Sequence, residues 1–346
     1  MRYWERYDKR YKVNNILNLC SFIRSKARKL GEPFSKRGKR GRNFKISPYD
    51  YLVSFILYTY LDLSLRDNEF LSIAIFGKHV DHSTFGKAYD RIPYPYLRRL
   101  LVLIRNEIEN LIKERPVLIA DSTGIRIDRR YGKAMIGCKT TKRREHDKLI
   151  ILVEYYPENR LIPISNADAL MHSDPLSSAM MLENLDTRSD YFFGDAGFDS
   201  EVLYMVCFKK GIKPVVKQRS HERRRGRLRK RAMEYFDPDL YRRYRGVIEG
   251  VFGGMENKRL LFTRYRKESM RSKHIIAMAL IHNINTYMAI ICLFILIFST
   301  NPHFPKVLYI WILFTSTLLN IYFYNPLFGF PSALKEIQRE VIRWER

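Results

Sequence analysis

Val117-Leu-Ile-Ala-Asp-Ser-Thr-Gly124, Lys148-Leu-Ile-Ile-Leu-Val-Glu-Tyr-Tyr156 and Arg160-Leu-Ile-Pro-Ile-Ser165 are the runs whose reading decides the fold. Each is a short apolar segment bounded by polar residues, the pattern of a strand in a sheet, and Pro157-Glu-Asn-Arg160 between the second and third predicts a hairpin turn. Residues 174–185 then read as a helix with Asp174 as its cap and Pro175 in its first turn. Tyr191-Phe-Phe-Gly-Asp-Ala-Gly-Phe198 is a further strand, residues 200–210 a helix and residues 212–217 another strand. Strands in succession, followed by alternating helix and strand, predict an α/β fold with a mixed sheet of about five strands. Active sites on such sheets gather at strand ends.

Upstream, residues 47–114 carry apolar side chains at helical spacing, interrupted at Gly77 and at Pro93 and Pro95. Two helices begin near residues 63–70 and 80–91, the second with a Ser/Thr cap near its head. A pair of short helices about a glycine turn is compatible with a helix-turn-helix, and equally with plain packing. Downstream, residues 219–231 hold eight basic side chains in thirteen, a solvated loop or a helix ordered by a partner. Residues 237–258 return to helical spacing and place Arg242, Arg245, Glu249, Phe252 and Glu256 along one face, with Gly253 and Gly254 weakening the far end. No Lys, Arg, Asp or Glu occurs in residues 275–305 or 307–334. Residues 307–325 are long enough to cross a bilayer, but a buried helical extension that covers the sheet or a dimer interface is the favoured reading.

The chain has 346 residues, with 62 Lys and Arg against 36 Asp and Glu, a net charge of +26. Residues 1–50 contribute +11 and residues 201–273 contribute +14, so the remainder is almost neutral. Two basic blocks around a neutral body suit a polyanion that touches the chain twice, and nucleic acid fits best because each neutralised phosphate releases counterions. An apolar content of 46% excludes a disordered basic tail. Cys20, Cys138, Cys207 and Cys292 lie far apart, which predicts a reducing compartment and no structural zinc. The first residues lack the apolar stretch of a signal peptide.

Three acids sit where they are costly unless neutralised: Asp121 just past one apolar strand, Asp195 in another, and Glu249 on the helix one turn after Arg245. A pair of Mg²⁺ ions would neutralise them and serve both the attacking and the leaving oxygen of a phosphodiester. Arg245 would meet Glu249 as an i,i+4 partner that also orients its carboxylate. His146 and His172 are weaker candidates, the second reading as part of a polar helix start.

Val117-Leu-Ile-Ala-Asp-Ser-Thr-Gly124, Phe193-Gly-Asp-Ala-Gly-Phe-Asp-Ser200 and the segment Arg245-Gly-Val-Ile-Glu249 resemble the three acidic motifs of DDE transposases of prokaryotic insertion sequences, and Val80-Asp-His-Ser-Thr-Phe85 is similar to the end of that family's N-terminal helical region. The resemblance covers about residues 45–290. It implies an RNase H-like core in which Asp121, Asp195 and Glu249 hold two Mg²⁺ ions, with Mn²⁺ able to substitute. It also implies cleavage of double-stranded DNA at inverted-repeat ends, strand transfer into target DNA, and a homodimer in the synaptic complex. No small-molecule cofactor is implied, and the expected location is the prokaryotic cytoplasm, on the nucleoid. The family often has Tyr three residues before the Arg and Lys seven after the Glu; here those positions are Arg242 and Glu256. Tyr241 or Tyr244, and Lys258 or Arg259, are the available substitutes, and Glu256 is the alternative third acid. Three regions follow: a basic helical DNA-binding region (1–115), a catalytic domain (116–290) and an apolar helical extension (291–346). The expected DNA contacts are Arg37, Lys39, Arg40, Arg42, Lys148, Arg223, Arg224, Arg225, Arg227, Arg229, Arg245, Lys258 and Arg259. A nuclease of the same fold, an inactive DNA-binding relative and a membrane-associated protein are the alternatives.

Overall fold

Val117–Ile127 forms one long strand, β1, in the computed structural model, which describes residues 13–35, 43–128, 134–136, 142–144, 146–169, 172–218, 226–257 and 260–299. A separate two-stranded ribbon, β2 (Ala134–Ile136) and β3 (Lys142–Arg144), follows it. β1 outruns the predicted apolar segment because its polar second half stays paired to antiparallel β4 (His146–Tyr155) as far as Arg126. β5 (Ile164–Asp168) lies antiparallel on the far side of β4. β6 (Tyr191–Gly194) and β7 (Lys213–Val216) run parallel to β1 on its other side, and β8 (Phe262–Thr263) joins its distal end. The order β5-β4-β1-β6-β7 with β8 beside β1 is a six-stranded mixed sheet, where the sequence predicts about five strands, in the arrangement of an RNase H-like core.

Two strand boundaries shift for local reasons. The strand expected at 160–165 begins only at Ile164, because Arg160 turns the chain with a φ of 53° and Pro163 has no N–H to give the ladder. The strand expected at 191–198 ends at Gly194, since the Asp195 carboxylate caps a single 3₁₀ turn, Ala196–Phe198.

Among the described residues, five helices precede the sheet: α1 (Val13–Leu30), α2 (Pro48–Tyr60), α3 (Leu65–Phe76), α4 (His82–Arg91) and α5 (Tyr94–Leu111). Ser47 with Asp50, and Ser64 with Asp67, form capping boxes that start α2 and α3. Gly77 ends α3 in the left-handed region that a Cβ disfavours. Asp81, rather than the expected Ser or Thr, caps α4, its carboxylate accepting from the Ser83 N–H. The α3–α4 pair is tied by Asn68 Nδ2 donating to the Tyr89 hydroxyl at 2.7 Å and by the Val80 N–H donating to Ser72 Oγ at 3.0 Å.

The remaining helices are α6 (Asp174–Glu183), α7 (Glu201–Lys209), α8 (Arg227–Met233), α9 (Pro238–Tyr244), α10 (Val247–Asn257) and α11 (Glu268–Ser299). The cap of α6 is Ser173, whose backbone is extended, so Asp174 is the first helical residue and not the expected cap. The single helix expected over 237–258 is broken into α9 and α10 at Arg245 and Gly246, where glycine weakens helical continuity.

α11 makes one core of the two halves. Its residues 275–281 are all buried, and they join α1, α2 and α5 to the sheet in a single apolar cluster. Asn283 both donates to and accepts from the backbone of Ile164, at 2.7 Å each, and so closes the edge of β5 that would otherwise invite another strand. The first of the two charge-free stretches is therefore core as far as Ile290, as favoured from sequence; residues 307–325 lie outside the described residues. Among the described residues no helix is long and apolar enough to cross a membrane.

A buried ion pair pins α5 to the back of the sheet. Arg105 Nε donates to Glu154 Oε2 at 2.6 Å, its Nη2 meets the other carboxylate oxygen, and Thr187 Oγ1 donates to Glu154 Oε1 at 2.8 Å. Removing one partner leaves a buried charge unpaired. Arg105→Met should therefore cost about 3–5 kcal/mol in urea unfolding, whereas Arg115→Met, breaking the exposed pair with Asp190, should change little.

His274 on α11 is the second buried tie. Its Nε2 donates to the Phe262 carbonyl at 3.2 Å, leaving Nδ1 to accept from Thr59 Oγ1 at 3.1 Å, and burial holds the imidazole neutral down to about pH 4. A depressed histidine pKa leaves stability intact above its ordinary value near 6.5 and erodes it as pH falls toward 4. Denaturant titrations between pH 7 and pH 4 should show a loss of roughly 3 kcal/mol from this group, and the loss should shrink in His274→Gln.

Candidate active site

The two edges of β1 are used differently. One edge pairs with β4 along nearly its whole length. The other pairs with β6 only at Leu118 and Ile119 and with β8 only at Arg126 and Ile127. Between these, residues 120–125 have no strand beside them among the described residues, and Asp121 lies in that gap. Asp195 follows the last residue of β6, so both acids stand where two parallel neighbours diverge, at the strand ends that open sheets use for chemistry.

Glu249 comes from the first turn of α10, and Arg245 from the break just before it. The Arg245 guanidinium gathers all three acids. Its Nη2 donates to Asp121 Oδ2 at 3.0 Å and stands 4.0 Å from Asp195 Oδ2, while Nη1 donates to Glu249 Oε1 at 2.6 Å. The two aspartates thus face one nitrogen, and their separation cannot exceed the sum of the two distances. The remaining Asp121 oxygen accepts from the Ser122 N–H at 2.8 Å, and the remaining Asp195 oxygen from the Gly197 N–H at 2.7 Å.

Exposure grades across the trio. The Asp121 side chain is 13% exposed, Asp195 44% and Glu249 69%. Burial pushes the Asp121 carboxyl above its ordinary range; the Ser122 N–H and Arg245 pull it back, and the negative charges of Asp195 and Glu249 push it further up. Such a carboxylate gains from any cation brought near. Three oxygen donors of graded exposure, already turned toward one positive group, suit hard divalent ions, which take carboxylate oxygens and keep water or phosphate in their open positions.

Of the two tyrosines offered in place of the displaced family tyrosine, Tyr241 is the one at the site. Its hydroxyl feels the charges gathered there: burial raises its pKa, the Arg245 charge lowers it, and those of Asp195 and Asp121 raise it. Tyr244 belongs to the core instead, its ring 5.5 Å from Phe193 and 6.1 Å from Tyr155. Glu256 does not join the trio's guanidinium and pairs with Arg126 at 3.0 Å.

A supporting layer was missed by sequence reasoning. Ser122 Oγ donates to Asp174 Oδ2 at 3.0 Å, and Lys148 pairs with the same carboxylate across the β1–β4 ladder. Lys148, expected at DNA, is thereby held by Asp174. The only sequence signal was a polar residue directly after Asp121 and an acid opening a helix. Gly197 is a second omission: a Cβ there would stand 2.8 Å from Asp195 Oδ1, so the residue must be glycine for the carboxylate to lie as it does.

The predicted DNA contacts divide. Arg227 is exposed at the start of α8. Arg229 turns inward, donating to Asp199 at 2.8 Å, and the first turn of α8 is capped by Glu201, which accepts from the Leu228 and Arg229 N–H groups. That helix is thus ordered by the chain's own acids rather than by a partner. Arg37, Lys39, Arg40, Arg42, Arg223, Arg224, Arg225, Lys258 and Arg259 lie outside the described residues. His172 is exposed, and His146 packs its ring against Gly124. Among the described residues, the group of acidic or imidazole side chains whose ligand atoms all lie within 4.8 Å of one another is Glu69, Asp81 and His82 at the α3–α4 turn; Asp121, Asp195 and Glu249 are not gathered that closely. There Glu69 already bridges His79 at 2.8 Å and His82 at 2.9 Å, closing the helix pair.

Residues 112–284 match the family model described as "Transposase DDE domain". The chain belongs to that family. It is accordingly a transposase acting in DNA recombination, and enzymes of this family generally use divalent metal ions. No curated protein matches the chain in sequence. Among solved structures, a cryo-EM structure of a piggyBac transposase synaptic complex with hairpin DNA is similar at 11% identity, with 90% of this chain and 84% of that chain covered and a TM-score of 0.36.

For this transposase the Gly197 contact gives a direct check. Gly197→Ala should leave the unfolding midpoint nearly unchanged, because the turn is partly exposed, yet move the Asp195 carboxylate and lower DNA cleavage about 10- to 100-fold. Gel-based cleavage assays beside circular dichroism melts separate the two effects.

Proposed function

We propose that Asp121, Asp195 and Glu249 are the metal-holding acids of a DNA-cleaving and strand-transferring site. The observation that carries this is their convergence on the single Arg245 guanidinium at the point where β1 and β6 part. Held by these oxygens, a pair of Mg²⁺ or Mn²⁺ ions supplies the charge needed by the attacking and leaving oxygens of a phosphodiester.

The protein's own groups do the rest. The β1–β4 ladder fixes the backbone of Asp121, and the Ser122 N–H takes one carboxylate oxygen and leaves the other facing Arg245. The Gly197 N–H does the same for Asp195. Lys148, Asp174 and Ser122 brace the floor beside them. Glu249 arrives from outside on a separate helix, and being the most exposed of the three it can adjust to substrate.

The substrate is double-stranded DNA: the ends of the element for cleavage, and target DNA for insertion. Backbone contacts would come from the two basic blocks, including the segments around residues 36–42, 223–227 and 258–259, with sequence readout by the helical region over residues 1–115. Residues 116–290 would form the catalytic unit and residues 291–346 an apolar extension of it. Holding two ends together calls for two copies of the chain, so a homodimer on DNA is part of the proposal, as is residence on the nucleoid.

Asp121→Asn and Asp195→Asn should each abolish cleavage and strand transfer on DNA carrying the element ends, while binding in a mobility-shift assay stays within about twofold of wild type. Activity persisting in either variant overturns the assignment. Insertion of pre-cleaved ends into a supercoiled plasmid distinguishes a transposase from a nuclease that cuts without joining.

A further inference from the structure

We infer that Arg245 is a resident counter-ion of the acidic site, competing with the divalent metals for the same carboxylate oxygens, so that metal uptake requires its guanidinium to move aside. The inference rests on the reading of Asp121, Asp195 and Glu249 as metal ligands.

Oxygen accounting makes the case. Each aspartate has one oxygen committed to a backbone N–H: Oδ1 of Asp121 to Ser122, and Oδ1 of Asp195 to Gly197. The oxygen left on each is Oδ2, and both Oδ2 atoms face the same Arg245 nitrogen, at 3.0 Å and 4.0 Å. A cation shared by the two aspartates through these oxygens therefore contends with Nη2. Glu249 is engaged by the other arm of the same fork, at 2.6 Å. One planar side chain thus hydrogen-bonds Asp121 and Glu249 and stands 4.0 Å from Asp195, and it carries one positive charge where three negative ones are gathered.

The surroundings favour a movable group. Arg245 stands at the junction between α9 and α10, followed by Gly246, beside which a Cβ would meet no atom within 4 Å. Its side chain is 19% exposed, so its way out leads to solvent and is not through packed core. A purely structural arginine, like Arg105 at 2% exposure against Glu154, is built in the opposite manner.

The competition is measurable without turnover. Isothermal titration of the DNA-free full-length chain with Mn²⁺ should show affinity about tenfold higher in Arg245→Gln than in wild type, since a nearby positive charge has been removed from the site. Thermal unfolding should show the complementary pattern: the variant melts lower than wild type in EDTA and gains more from saturating Mn²⁺. Arg245→Lys, which keeps the charge and loses the fork, should fall between the two and serves if the glutamine variant does not fold. Affinity unchanged or weaker in both variants overturns the inference and leaves Arg245 as a group that merely orients the acids. Asp195→Asn is the control: if it leaves Mn²⁺ affinity untouched, the assignment of the acids themselves fails, and this inference with it.

Discussion

The architecture depends on a strand that is satisfied on one edge and interrupted on the other. β1 pairs with β4 from Val117 to Arg126, so its backbone is rigid throughout. On the opposite edge, β6 reaches only to Ile119 and β8 returns only at Arg126. A sheet without that interruption would bury Asp121 between two strands. A sheet without the β4 ladder would leave its carboxylate unplaced. The combination offers a fixed acid at an open edge, and the parallel run of β6 delivers Asp195 to the same opening one residue beyond its end.

Charge then decides how the opening is filled. Three acids clustered at a partly buried site repel one another, and Asp121 bears most of that cost because burial strips its solvation. Within the chain the balance is met by Arg245, assisted by the Ser122 and Gly197 N–H groups. The exterior has the reverse problem, a net charge of +26 concentrated in two segments. Not every basic side chain adds to it outwardly: Arg229 is tied to Asp199 and Arg271 to Asp147 at 2.6 Å. Basic residues tied in this way shape the fold, and only those left facing solvent can add to a field that draws in DNA.

Much of this was legible in the sequence, and the limits have identifiable causes. The strands at Val117, Lys148 and Tyr191 announced themselves as apolar runs, and the acids following them were visible as exceptions to those runs. Arg245 and Glu249 were paired by helical spacing, and the pair forms at 2.6 Å even though the helix breaks beside it, because Arg245 itself keeps helical backbone angles. What spacing could not supply was contact across the chain. Nothing local connects Arg245 to Asp121, 124 residues away, or Asp174 to Ser122, 52 residues away. Lys148 illustrates the same limit: its strand position was readable, but not the acid that meets it. The predicted continuous helix over 237–258 failed at Gly246 because periodicity scores side chains and overlooks one glycine placed between two well-patterned turns.

That break is also what allows the third acid to differ in kind from the other two. Asp121 and Asp195 are set by strand ladders and by backbone donors within two residues, so their positions are properties of the sheet. Glu249 is set by a side chain, Arg245, and by a helix joined to its predecessor through a glycine, and it is the most exposed of the trio. A site with all three acids locked in the sheet would have to carry their mutual repulsion permanently in the folded state. Here one of them stands on a separate helix, beside an arginine that already offsets part of the gathered charge. The difference between two acids set by the sheet and a third carried to them on a separate helix thus turns on the helix break at Arg245 and Gly246, which puts Arg245 between them.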